Sequence, residues 1–229
     1  MEKKVKKIGM IVAVEIAAVM KRYEGRLEDA SVPGFEVKLL RTEDYELYIV
    51  NSGAGEIASS SAVQLLISHF GVSMVVNFGV VGGLTPEMAV AKLAVVTDVV
   101  HYDYDVSEYL GYRKAVHVGY PTCNIPATKA LVDAALAIEP GLKPVICASG
   151  DKFIGSSERK WALHEEYNAD IYEMEAAGIV LTCNRNGVPC LLIKAVSDSM
   201  GGGAEEFARE FERCADICLE TVDKLIKTL

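Results

Sequence analysis

The chain has 229 residues, 51% hydrophobic and 24% charged, which suits one large α/β domain with a sizeable core and excludes a disordered chain. A net charge of −9 and a pI near 5.0 leave no basic stripe for nucleic acid and favour a small ligand instead. No apolar run is long enough to span a membrane.

Taken in chain order, the start M-E-K-K-V-K-K is basic like a signal n-region. The apolar run 8–14 that follows is cut by Glu15 with no small-residue cleavage site after it, so the run reads as a first buried strand. Further strands are predicted at 46–50, 74–78, 93–100, 145–148 and 191–196. Several are apolar without alternation, as expected of strands covered on both faces. Helical patterns lie at 16–22, 57–70, 126–137, 157–166, 176–186 and 204–227. In the last, Phe207, Phe211, Cys214, Cys218, Val222 and Leu225 recur at spacings of three and four and make one apolar face. Gly187-Val188-Pro189 stops one helix and leads into a strand. No linker or repeat interrupts the series, so residues 1–229 read as a single domain, a three-layer α/β/α sandwich on a mixed, mostly parallel sheet.

The stretch 101–120 has no period. It holds Tyr102, Tyr104, Tyr109, Tyr112 and Tyr120 with His101 and His117, the composition of a functional loop or an interface. Six cysteines (Cys123, Cys147, Cys183, Cys190, Cys214, Cys218) form no C-x-x-C. Cys214 and Cys218 are four apart on a helix, but no nearby histidine completes a metal site. The set reads as reduced thiols of a cytoplasmic protein, with no metal expected.

The chemistry-bearing words come late in the chain. Glu175 lies in Y-E-M-E-A-A-G, where a short strand runs into a helix, and Asp198 lies in V-S-D-S-M after the run 191–196. Acids at the carboxyl ends of parallel strands sit where open α/β sheets bind ligands, and two of them can divide the work of holding a substrate and moving a proton. Singly, Asp198 reads better as an ordinary cap of the next segment, and Glu175 reads also as a helix-start residue that complements the dipole. Glu173 fits that plainer role better than Glu175. S-G-D-K-F-I at 149–154 is equally a turn with a core phenylalanine. N-S-G-A-G-E at 51–56 and N-F-G-V-V-G-G at 77–83 each follow a strand and let backbone approach a ligand. Neither is a dinucleotide fingerprint.

Together, and in this order along nearly the whole chain, these words resemble the nucleoside phosphorylase/nucleosidase family, most closely its 5′-methylthioadenosine/S-adenosylhomocysteine nucleosidases. The resemblance implies hydrolysis of the N-glycosidic bond of an adenine nucleoside, a place in methionine salvage, no cofactor and a homodimer. It also implies that 102–120 lies at the dimer interface and closes the partner's 5′-substituent pocket. Asp198, flanked by Ser197 and Ser199, would protonate the purine at N7 so that the base can leave. Glu175 would accept from both ribose hydroxyls, with Met174 packed beside it. Phe153 would stack on the purine, the backbone around Ile154 would read its edge, and Gly79 with Val80 would form the ribose-side turn.

One part of the resemblance breaks. Relatives activate water with the last glutamate of a word close to A-M-E-E-E, and the aligned word here is Ala13-Val14-Glu15-Ile16-Ala17, which places Ala17 at that position. Glu15 is two residues earlier, about 200° away on a helix, so it substitutes only if the turn is rebuilt. Val80 replaces a common serine, and Lys194 a common arginine. The phosphorylases carry an arginine in their phosphate loop, and Val12–Ala18 has none. Three readings stand: a nucleosidase with Glu15 in a rearranged water site, a purine nucleoside phosphorylase using Lys194 or Arg41, and a nucleoside-binding protein with weak turnover.

Overall fold

The structure is a computed structural model that describes residues 5–109 and 111–228; Met1–Lys4 of the basic start, Leu110 and Leu229 lie outside it. Its strands are β1 (Lys6–Val12), β2 (Leu27–Asp29), β3 (Val37–Arg41), β4 (Tyr45–Asn51), β5 (Met74–Gly83), β6 (Leu93–His101), β7 (Asn124–Pro126), β8 (Lys143–Ser149), β9 (Ile171–Glu173) and β10 (Cys190–Asp198). Its helices are α1 (Ile16–Arg22), α2 (Glu56–Leu65), α3 (Lys129–Ile138), α4 (Ser157–Tyr167), α5 (Ala176–Asn186) and α6 (Ala204–Thr228). A π turn, Leu66–Phe70, continues α2 and ends at Gly71.

The sheet is mixed, as the sequence predicts. β1 runs parallel to β4 and β5, β5 to β10, β6 to β8, and β8 to β9. The other pairings are antiparallel. A plain sandwich does not describe one half of it. β10 pairs with both β5 and β6, and β9 joins β8 to β5, so β5, β10, β6, β8 and β9 close into a ring. From β5 the open arm β1-β4-β3-β2 branches away.

Alternation within the strands sorts the core onto the two faces. Ile8, Met10, Val12, Met74, Val76 and Phe78 pack with residues of α1, α3 and α6. Ile11, Val75 and Val81 pack with residues of α2 and α5. A third cluster joins Leu163 and Tyr167 of α4 to Tyr102, Ile154 and Tyr172. The cysteines of α6 are part of the first: Cys214 donates to the Val196 carbonyl and Cys218 to that of Ile193. Among the described residues no helix is long and apolar enough to cross a membrane.

The six predicted strands and six predicted helices are present; the helices at 16–22 and 176–186 keep their predicted ends and the others are shifted. The largest shift is in β5, which continues through the glycine-rich word read as a loop. Parallel pairing with β10 and antiparallel pairing with β9 hold Gly79–Gly83 extended despite its poor strand propensity. β2, β3 and β7 have no counterpart in the predicted set. β2 and β7 are three-residue edge strands, where sequence pattern is weakest, and β3 lies between β2 and β4 with Val37, Leu39 and Leu40 buried in a run too short to show a period.

Candidate active site

Carboxyl ends of β1, β4, β5, β9 and β10 converge on one cleft of about 170 Å³, lined by Ala13, Val14, Glu15, Ala54, Val80, Val81, Gly82, Phe153, Tyr172, Glu173, Met174, Glu175, Asp198 and Phe207. This is where parallel strands present ligand sites. Of the predicted site residues, Glu15, Val80, Phe153, Met174, Glu175 and Asp198 meet there. Gly79, Ile154 and Ser197 stand one layer back. Ile154 is buried and its carbonyl accepts from Tyr172 Oη at 2.6 Å. Ser197 Oγ donates to the Val81 carbonyl and lies 3.2 Å from Asp198 Oδ1.

Glu15 is placed by the turn after β1. It precedes α1 rather than lying inside it (φ −85°, ψ 17°), so the 200° rotation of a helical pair does not apply. Its carboxylate accepts the N–H of Val14 at 3.0 Å and of Val80 at 2.9 Å. A Cβ on Gly79 would stand 3.1 Å from Glu15 Oε1, so glycine leaves the carboxylate room to reach β5. Ala17 faces elsewhere, into a hollow of about 160 Å³ between α1 and α6 that Glu15 also borders.

Asp198 ends β10 just past a register shift against β5 between Val196 and Asp198. Such irregularities re-aim a side chain next to a site. Its Oδ2 receives Lys160 Nζ at 2.6 Å and has Tyr172 Oη at 3.2 Å. The tyrosine is pushed far up, by burial first and then by the charge of Asp198.

Glu175 stands at the start of α5 and accepts the N–H of Gly55 at 2.8 Å, a glycine at φ 104° that a side chain would strain. Burial first, then Glu173, pushes its carboxyl up to about 7 against the pull of Lys194 and the Gly55 N–H. Glu173 has the helix-start role the sequence suggested. It accepts the N–H of Glu175 and Ala176 and pairs with buried Lys194 Nζ at 3.1 Å. Burial opposes the Lys194 charge most strongly, and Glu173, Cys147 and Glu175 together outweigh it.

Sequence reasoning missed Glu56. Its Oε1 is 2.5 Å from Ser149 Oγ, which is also 2.6 Å from Glu173 Oε1 and accepts the Ala177 N–H at 3.0 Å. One hydroxyl proton serves one carboxylate, so a carboxyl proton makes the other contact. Burial first, then Glu173, pushes Glu56 up to about 8, so Glu56 holds that proton. It opens α2 inside a glycine-rich word, and only the fold brings it to β8 and β9. Lys160, Tyr172 and Phe207 were missed for the same reason.

Phe153 is 47% exposed on the cleft wall, its ring edge-to-face with Phe207 of α6 at 5.7 Å. An open aromatic face is what stacking on a flat base needs. Among the described residues, Asp and Glu side chains line the cleft and neither Lys nor Arg does. Arg41 lies out on β3, paired with Glu28 at 3.1 Å and with Glu46.

The family model of the phosphorylase superfamily matches residues 7–229. The chain belongs to that superfamily. Among its members, the 5′-methylthioadenosine/S-adenosylhomocysteine nucleosidase of Geobacillus kaustophilus is 31% identical over 221 residues, covering 94% of this chain and 92% of the relative. The aminodeoxyfutalosine nucleosidase of Campylobacter jejuni is 31% identical over 172 residues, 74% of this chain and 75% of its own. In three dimensions the chain superposes on a mutant Helicobacter pylori 5′-methylthioadenosine/S-adenosylhomocysteine nucleosidase that holds 5′-methylthioadenosine in its active site. The TM-score is 0.91 at 26% identity, over 98% of this chain and 99% of that one. In this chain's cleft Glu15 stands in the turn before α1, while Ala17 borders the hollow between α1 and α6.

Proposed function

We propose that this chain is a purine nucleosidase that hydrolyses the N-glycosidic bond of an adenine nucleoside such as 5′-methylthioadenosine or S-adenosylhomocysteine. The observation that carries the reading is one cleft lined by Glu15, Glu175 and Asp198 and by no cation. Asp198 gives a proton to N7 of the base as the C1′–N9 electron pair leaves with it. Glu15 takes a proton from the water whose oxygen attacks C1′. Glu175 accepts from the ribose hydroxyls and stabilises the positive charge that develops on the sugar. Phe153 stacks on the base, Met174 packs on the sugar, and Gly79, Val80, Ile154 and Ser197 hold the walls. The products are adenine and a free sugar, and no cofactor takes part.

The acid lining disfavours phosphate at the attacked face, which sets hydrolysis ahead of phosphorolysis. Adenine release is expected to be equal with and without phosphate and to yield free ribose. Ribose 1-phosphate as the product would establish the phosphorylase. Binding measured by calorimetry without release would establish a nucleoside-binding protein.

Residues 1–229 act as one unit in this reading, paired as a homodimer. Support for the pairing comes from two hollows of about 600 and 480 Å³ that share His117, Leu181, Thr182 and Arg185, with Ile57 and Val118 exposed beside them. The thiols are free and five of the six are buried, which fits a reducing cytoplasm, and the substrate class fits methionine salvage.

A further inference from the structure

α4 buries one narrow face, and on it Lys160 sits in line with Leu163 and Tyr167 at helical spacing. Its side chain is 0% exposed. A lysine removed from water is rare unless it is paired, because burial of the charge is costly. Here all three ammonium protons are placed: on Asp198 Oδ2 at 2.6 Å, on the Ser199 carbonyl at 2.6 Å and on the Gly202 carbonyl at 3.0 Å. The ammonium also lies 5.5 Å from the centre of the Tyr172 ring.

The other groups around this pair come from three elements. Tyr172 of β9 donates to the Ile154 carbonyl, Ser197 of β10 touches Asp198 Oδ1, and Glu206 of α6 accepts the Ser199 N–H at 2.6 Å and its hydroxyl at 2.8 Å. Thus Asp198 Oδ2 is occupied by a cation, while Oδ1 has a single weak contact. The lysine is anchored to the turn after β10 independently of Asp198.

We propose that Lys160 is a positioning residue for the reaction: its ammonium fixes Asp198 by Oδ2, presents Oδ1 to the leaving base, and stabilises the carboxylate formed when Oδ1 surrenders its proton. This rests on the reading of Asp198 as the general acid. As the Oδ1–H bond breaks and N7–H forms, negative charge returns to Asp198 with a cation already in place 2.6 Å away. A fixed charge aimed at developing charge needs no reorganisation during the step. Lys160 touches no substrate atom in this account.

Two substrates test the proposal. An adenine nucleoside needs its leaving group protonated, and a 4-nitrophenyl riboside does not, because nitrophenolate departs as an anion. Lys160→Met is expected to lower kcat for adenine release by at least ~10-fold, with KM little changed and nitrophenol release far less affected. Where Lys160→Met does not fold, Lys160→Gln keeps a donor without the charge and is expected to show the same split. Equal losses on both substrates, or no loss on either, would overturn the proposal. Asp198→Asn on the same pair separates the two readings. If it loses adenine release selectively and the Lys160 variants do not, only the role of Lys160 fails. If it loses both substrates equally or neither, the general-acid reading fails, and the role of Lys160 with it.

Discussion

At the scale of single residues, three of the four carboxyls that line the cleft, Glu15, Glu175 and Asp198, are held by different means, and each makes its own prediction. Asp198→Asn keeps a group able to hydrogen-bond the base but has no acid proton. Turnover is expected to fall by at least ~10²-fold while calorimetric affinity for an adenine nucleoside is largely kept. Glu15→Gln is expected to remove hydrolysis to a similar extent, because its carboxylate, fixed by the Val14 and Val80 N–H groups, is the base nearest the β1–β5 side of the cleft. Ala17→Glu in wild type is then expected to add nothing to the rate, since Ala17 faces the α1–α6 hollow; a large gain in single-turnover experiments would return the water site to that position. Burial and Glu173 push Glu175 up to about 7, and in the proposed reading only its ionised form would accept from both ribose hydroxyls. Riboside affinity should therefore weaken as pH falls through about 7. Glu175→Gln should bind roughly 10-fold or more weakly and lose that pH dependence in calorimetric titrations.

At the scale of elements, the α5 N-terminus is where acids are crowded. Glu173 caps the helix, Ser149 of β8 is wedged between Glu173 and Glu56, and the Gly178 N–H donates to Glu56. In the folded chain Glu56 holds its proton up to about 8, whereas an unfolded glutamate loses it near pH ~4.3. The unfolded state then binds fewer protons across that window, so stability falls as pH rises through it. Glu56→Gln, which cannot ionise, is expected to flatten this part of the melting temperature's dependence on pH. Melting curves from about pH 5 to about pH 8.5 measure it, and an unchanged slope would count against the shared proton. None of this was legible beforehand. Glu56 is 93 residues from Ser149 in sequence, and its word reads as a loop followed by an ordinary helix start. Glu175 and Asp198 were legible because each lies in a recognisable word, Glu175 at the start of α5 and Asp198 at the end of β10. Glu15 was legible only as a spacing conflict with Ala17, although the predicted helix 16–22 already begins after it.

At the scale of the whole molecule, the alternation of β-branched runs with helical patterns was enough for the α/β class and for most of the sheet. Ring closure was not readable. It depends on β10 pairing on both sides, and on β9, three residues long, bridging β8 to β5. No local pattern encodes such long-range pairings. The stretch 101–120 was read as an interface or a functional loop. Its side chains stack among themselves: Tyr104 on His117 at 3.9 Å, and His117 on His101 at 5.3 Å. They border the two hollows proposed as the dimer face. Sedimentation at micromolar concentration is expected to show a dimer; a fully active monomer would remove both the pairing and any pocket shared across it.

The closed ring has a consequence for how such a protein can change. A strand with both neighbours fixed cannot slip by one residue without breaking two pairings, and such a slip would turn every side chain to the opposite face. Asp198, Glu173 and Ser149 are the last residues of three of the ring's strands, so their mutual spacing is locked by pairings that include Asp198 with Gly82 and Ser149 with Glu173. Phe153 and Phe207 stand on the rim outside it, on a loop and on the first turn of α6. The proposed general acid and the exposed aromatic pair are thus carried by separate mechanical parts. In the proposed reading, substitutions at Phe153 or Phe207 would retune the grip on the base while Asp198 stays in register, which makes the rim the place to look for divergence in specificity.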